Sequence, residues 1–178
     1  MKEYRILGII IVIVAIIGIG YYVTRKSPVS PFPPAPPSPT GQVNGNPIVP
    51  PPAGYIGQVL AGTSAPLLDF VKADYEQALH SNKLVVLYFY ANWCPICKEE
   101  IKNIYPAFNE LTTQNVIGFR VNFNDSDTDA DEEALAREFG VPYQHTKVFL
   151  KNGERVLKSP ETWDKARYLS EINKFVSS

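Results

Sequence analysis

Apolar residues run unbroken from Ile6 to Val23, lose all period from Ser27 to Pro52, and then return in alternating strand-like and helix-like spacing as far as Val176. The first run, ILGIIIVIVAIIGIGYYV, contains no charge and is dominated by β-branched aliphatics. As a helix it spans about 27 Å at about 1.5 Å per residue, close to the thickness of a bilayer core. Lys2 and Arg5 flank it on one side and Arg25 and Lys26 on the other, with Tyr21 and Tyr22 at an interfacial position. A cleaved signal peptide is the rival reading. The run is long for a signal core and lacks an A-x-A-like site, so residues 1–26 are expected to be a retained single-pass anchor. A short tail ahead of a long folded segment places that segment on the extracytoplasmic side.

Residues 27–53 form the second region. Ser27 to Pro52 holds 11 of the 16 prolines and no charged residue. Such a stretch cannot build a helix or sheet and samples extended polyproline II, reaching up to about 80 Å as a semi-rigid spacer.

The third region, 54–178, reads as one globular domain. Leu67, Leu68, Phe70, Val71, Tyr75, Ala78 and Leu79 recur at helical spacing. Lys83 to Ala91, KLVVLYFYA, is a continuous apolar run suited to a central strand covered on both faces. Pro95 opens a second helix with Ile96, Ile101, Ile104, Tyr105, Phe108 and Leu111 on its apolar side, and Pro106 predicts a kink. Asn115 to Phe123 is a further strand, DADEEALAREFG a short helix with acids in its first turn, and HTKVFL and ERVLK a hairpin about Lys151-Asn152-Gly153. ETWDKARYLSEINKFV closes the chain as an amphipathic helix, and a short extra strand is expected near Tyr55 to Leu60. The fold class is α/β, a central mixed β-sheet flanked by helices.

Composition narrows the chemistry. With 45% hydrophobic residues the chain has ample material for one core, and a formal net charge of −1 without a basic cluster beyond the anchor argues against a nucleic-acid binder. The two cysteines, Cys94 and Cys97, lie three positions apart in YFYANWCPICKEEI. Zinc would need further Cys or His ligands beside this pair, and a structural disulfide closing so short a loop stabilises little. At a helix N-terminus, free backbone N–H groups and the helix dipole favour a thiolate at Cys94. Pro95 has no N–H, so the donors would be the amides of Ile96 and Cys97. The acidic stretch from Asn124 to Glu133 matches a calcium loop at Asp125, Asp127 and Asp129, but has Ala130 and Ala136 where Gly and Glu are required. It reads as a loop that caps a helix.

The motif A-x-W-C-x-x-C-K at Ala91 to Lys98, after a buried strand and opening a helix, resembles the thioredoxin-fold family, as does T-x-x-x-x-K-N-G at Thr146 to Gly153. The resemblance covers about residues 55–178. It implies a thiol–disulfide oxidoreductase with Cys94 as nucleophile and Cys97 as resolving thiol, Trp93 and Pro95 shaping the pair, and no cofactor. Its direction of electron flow stays open, because potentials in this fold span about −270 to −120 mV. With the anchor, it implies exported proteins with cysteine pairs as substrates and a membrane electron-transfer protein as partner.

Two positions depart from the thioredoxin pattern. The buried strand aspartate six residues before the first cysteine is replaced by Tyr88, so proton transfer at Cys97 needs another group or water. The loop position of the cis-proline, ahead of Thr146, falls on His145 in an ungapped alignment; Pro142 takes it only if three residues are inserted. A His145 facing the sulfurs either lowers a thiol pKa by its charge or completes a Cys94, Cys97, His145 donor set for copper. That set resembles Sco-type copper proteins, which however have three residues between their cysteines. Both roles stay open, beside a solvent-facing histidine with none.

Overall fold

The computed structural model describes residues 49–177. The apolar run Ile6–Val23 and most of the proline-rich segment lie outside them; among the described residues no helix is long and apolar enough to cross a membrane.

The elements follow in the order β1 (Val59–Ala61), β2 (Leu67–Asp69), α1 (Lys72–Leu79), β3 (Leu84–Tyr90), α2 (Pro95–Glu110), β4 (Val116–Asn122), α3 (Ala130–Glu138), β5 (Lys147–Lys151), β6 (Glu154–Ser159) and α4 (Lys165–Val176). Six strands form one mixed sheet in the order β1-β2-β4-β3-β5-β6. β3 pairs parallel with β4 and antiparallel with β5, which places it at the centre. Its near-continuous apolar run follows from that position, since both faces are covered.

Alternation of side chains along each strand divides the core in two. Leu84, Val86 and Tyr88 of β3, with Phe149 of β5, pack under Ile104, Ala107 and Phe108 of α2 and Tyr168 and Ile172 of α4. Val85, Leu87 and Phe89, with Val148 and Leu150, face Tyr75 and Ala78 of α1 and Leu135 and Ala136 of α3. Gly118 of β4 lets α2 approach closely: a Cβ there would stand 2.6 Å from Phe108 Cζ. The hairpin turn is Asn152-Gly153, both at positive φ.

The helical spacing read from Leu67 onward needs correction. Leu67 and Leu68 belong to strand β2, paired parallel with Gly118 and Phe119, and the helix begins only at Lys72. Both leucines are fully buried, one toward each face of the sheet. A two-sided apolar pair followed by a short helix imitates a single longer helical stripe. The expected short strand is present at Val59–Ala61. Helix α2 continues through Pro106 to Glu110. The acidic stretch does cap a helix: Asp129 accepts from the Glu132 amide, and the Glu132 carboxylate accepts from the Asp129 amide.

Candidate active site

The site lies where the C-terminal end of β3 feeds α2. Cys94 is the N-cap of α2 with Pro95 in its first turn, where a proline costs nothing because that N–H would have no helical partner. Cys94 Sγ accepts a hydrogen bond from the Cys97 amide at 3.2 Å. One of the two expected amide donors therefore reaches the sulfur. Both cysteines are free thiols, Cys97 fully buried and Cys94 2% exposed. Burial pushes the Cys97 thiol up to about 12, with a smaller contribution from its hydrogen bond to Cys94. Cys97 thus holds its proton at neutral pH.

Around Cys94 the surface is apolar: Trp93, Ile96 and Tyr143 are large exposed hydrophobics, and Pro95 is exposed beside them. The loop carrying Trp93 is braced by the acidic segment. Trp93 Nε1 donates to the Asn124 carbonyl at 2.9 Å, the Asn92 amide to Asp125 Oδ2 at 2.7 Å, and Asn92 Nδ2 to Asp127 Oδ2 at 3.1 Å. The residues that fail as a calcium loop serve here as a clamp on the cysteine loop.

His145 sits in the loop before β5, with its backbone in the left-handed region at φ 56°. Its N–H donates to the Phe89 carbonyl at 2.6 Å, a bond no proline could make. Thr146 is fully buried; its carbonyl accepts from the Phe89 amide and its hydroxyl donates to the Tyr143 carbonyl at 2.7 Å. These bonds tie the loop to the end of β3. The ligand atoms of Cys94, Cys97 and His145 lie within 4.8 Å of one another. Pro142, the other loop candidate, is exposed. Burial lowers the His145 pKa below its ordinary value, Glu100 opposing and Lys147 assisting, so the imidazole is neutral at neutral pH. A neutral ring does not supply the positive charge that would activate a thiol. Among the described residues its Nδ1 is buried without a hydrogen-bond partner.

Sequence reading missed what lies beneath Cys97. Glu100 and Lys147 are fully buried and paired, Lys147 Nζ standing 2.7 Å from Glu100 Oε1. The same oxygen accepts from the Trp163 amide at 2.9 Å and the Tyr168 hydroxyl at 2.8 Å. Lys147 also donates to the carbonyls of His145 and Glu161 and lies over the Trp163 ring. Tyr88 completes the group, its hydroxyl within 3.4 Å of the Cys97 carbonyl and 3.5 Å of Glu100 Oε2. A signal was present in the pattern. Glu100 interrupts the apolar stripe of α2 between Cys97 and Ile104, and Lys147 opens a strand otherwise apolar up to Leu150.

Comparison with known proteins agrees with this geometry. The thioredoxin family model matches residues 66–178. Thioredoxin H4 of Arabidopsis thaliana is 41% identical over 94 residues, covering 51% of this chain and 70% of that protein. Thioredoxin-1 of Caenorhabditis elegans is 33% identical over 91 residues, 49% of this chain and 70% of its own length. Among solved structures, thioredoxin from Schistosoma mansoni superposes with a TM-score of 0.50 at 28% identity, covering 65% of this chain and 99% of that one. With a W-C-x-x-C pair at the head of α2 and a match over most of the domain, the chain belongs to the thioredoxin family and is a thiol–disulfide oxidoreductase.

Proposed function

We propose that this oxidoreductase is held at the cell membrane by its N-terminal segment and exchanges disulfides with cysteine pairs of exported proteins on the extracytoplasmic side. The observation that carries the exchange chemistry is Cys94 at the N-cap of α2, bonded by the Cys97 amide, with the second thiol one turn behind. The Cys94 thiolate attacks a substrate disulfide, forms a mixed disulfide and releases one substrate thiolate. Cys97 then attacks Cys94 Sγ, the second substrate thiolate leaves, and the Cys94–Cys97 disulfide closes. The reverse sequence oxidises a substrate dithiol. The apolar patch of Trp93, Ile96 and Tyr143 suits unfolded or extended polypeptide as substrate, and a membrane electron-transfer partner would reset the pair.

The placement rests on the uncharged run Ile6–Val23 and the proline-rich spacer after it. In intact cells a membrane-impermeant thiol reagent is expected to label Cys94. Labelling that appears only after lysis overturns the extracytoplasmic placement.

A second reading is favoured by one observation: two sulfurs and a neutral imidazole within 4.8 Å, with His145 Nδ1 buried and unpartnered among the described residues. Two soft thiolates and an imidazole fit Cu(I), so Cys94, Cys97 and His145 would hold it in a copper chaperone. A Cu(I) competition titration of the reduced protein then shows one-to-one binding that weakens at least about tenfold in His145→Ala. Affinity indifferent to that substitution removes the copper reading and leaves the exchange reaction.

A further inference from the structure

One buried carboxylate holds both ends of the loop that braces the cysteine segment. Glu132, on α3, is 3% exposed. Its Oε1 accepts the Asn122 amide at 2.7 Å, where β4 ends, and its Oε2 accepts the Asp129 amide at 3.0 Å, where α3 is capped. Residues 123–128 lie between these two anchors. From that loop Asn124 and Asp125 accept from Trp93 Nε1 and the Asn92 amide, and Ser126 and Asp127 accept from Asn92 Nδ2. Asn92 and Trp93 immediately precede Cys94. Hydrogen bonds and short backbone segments thus lead without a gap from Glu132 to the nucleophile. The loop also forms one wall of a recess of about 450 Å³, with Phe123, Asn124 and Asp125 on its side and Ala136 and Arg137 of α3 opposite.

The charges around Glu132 oppose its ionisation. Asp129, at the cap of its own helix, and Asp69, on β2, act on it as like charges, and Asp131 and Glu133 flank it in sequence. Among the described residues Glu132 has no salt-bridge partner: Arg120 is paired with Asp69 and Arg137 with Glu133. On the core side β3 and β5 present apolar side chains, and Tyr75 of α1 stays uncharged because burial and then Glu138 raise its pKa. Burial first, with Asp129 and Asp69 behind it, pushes the Glu132 carboxyl from 4.5 up to about 7, although both amide bonds oppose the rise. An opened loop hands the carboxyl to water and returns it to its ordinary range.

We propose that Glu132 is a pH-dependent latch on the segment that carries Cys94: it ties both ends of the 123–128 loop, and the tie loosens as its carboxyl ionises. The closed loop binds this proton more tightly than the open one. The stability this lends the closed form is fully present below about pH 4.5 and is lost as pH rises through about 7. A neutral carboxyl still accepts a backbone N–H through its carbonyl oxygen and places no charge in the core. An ionised one stands uncompensated beside Asp129 and Asp69, and release to water relieves it. With the loop released, Asn92 and Trp93 lose their partners and the recess loses a wall. The surface beside Cys94 is then firm in acid and more yielding above neutrality.

Amide hydrogen exchange on the reduced full chain in detergent micelles, resolved by residue, reads this opening directly. Each rate is divided by the intrinsic rate at the same pH to give the protection. Between about pH 6 and about pH 8 the protection of the Asn92 and Asp129 amides falls about tenfold. Both stay well below the protection of Val86 in the central strand, which reports global unfolding. In Glu132→Gln, whose neutral amide keeps one carbonyl acceptor and cannot ionise, the same protection is flat across that range. A flat profile in the native protein, an unchanged slope in the variant, or protection of Asn92 equal to that of Val86 overturns the proposal. Should the variant not fold, the native profile and its comparison with Val86 still decide. No disulfide chemistry enters the measurement, so failure of the latch leaves the exchange reaction standing, and an inactive Cys94 leaves the latch measurable.

Discussion

Replacement of Cys94 by serine is expected to lower dithiothreitol-driven reduction of insulin disulfides by at least about a thousandfold. A serine hydroxyl is a far weaker nucleophile toward a disulfide sulfur than a thiol, and the amide bond from Cys97 to position 94 does not make up the difference. Cys97 cannot take over. It is fully buried, packed with Ala91 and Tyr90, and its pKa is pushed up to about 12. The fold should tolerate the change, because serine is a favourable N-cap. Activity lost with an unchanged melting curve places the defect in chemistry. A variant that retains a tenth of the native rate would contradict the assignment of Cys94 as nucleophile.

The largest effect on stability is expected from Lys147→Met. It leaves the Glu100 carboxylate fully buried with only neutral donors and no counter-charge, a change that costs about 3–5 kcal/mol. For a domain of this size the melting temperature falls by about 10–20 °C. Adding Glu100→Gln removes the stranded charge while its carbonyl still accepts from the Trp163 amide and the Tyr168 hydroxyl. The double variant therefore recovers a large part of the loss, leaving the unmet carbonyls of His145 and Glu161. Denaturant melts of native, single and double variants measure this. If the single variant is as stable as the native chain, the pair is not the buried charge balance described here.

Which parts of this were legible in the sequence follows from the range over which each signal acts. β3 could be read because a covered central strand must be apolar at every position, and the hairpin because Asn152-Gly153 specifies its own turn. The beginning of α1 could not, since β2 has three residues and is too short to show a strand period. Cys94 and Cys97 carry their geometry in their spacing and in Pro95. His145 was within reach through its place ahead of Thr146. The Glu100–Lys147 pair was not: its partners are 47 residues apart, and only the register of β5 against β3, which sets Lys147 opposite Tyr88, brings them under Cys97.

The central claim is that Cys94 makes the covalent bond to substrate and Cys97 breaks it. The most direct test is the intact mass of Cys97→Ser after mixing with an oxidised peptide disulfide under native conditions. A stable adduct of one peptide strand on Cys94, discharged by added dithiol, is the expected result. No adduct on that variant, or an equal adduct on Cys94→Ser, would contradict the account.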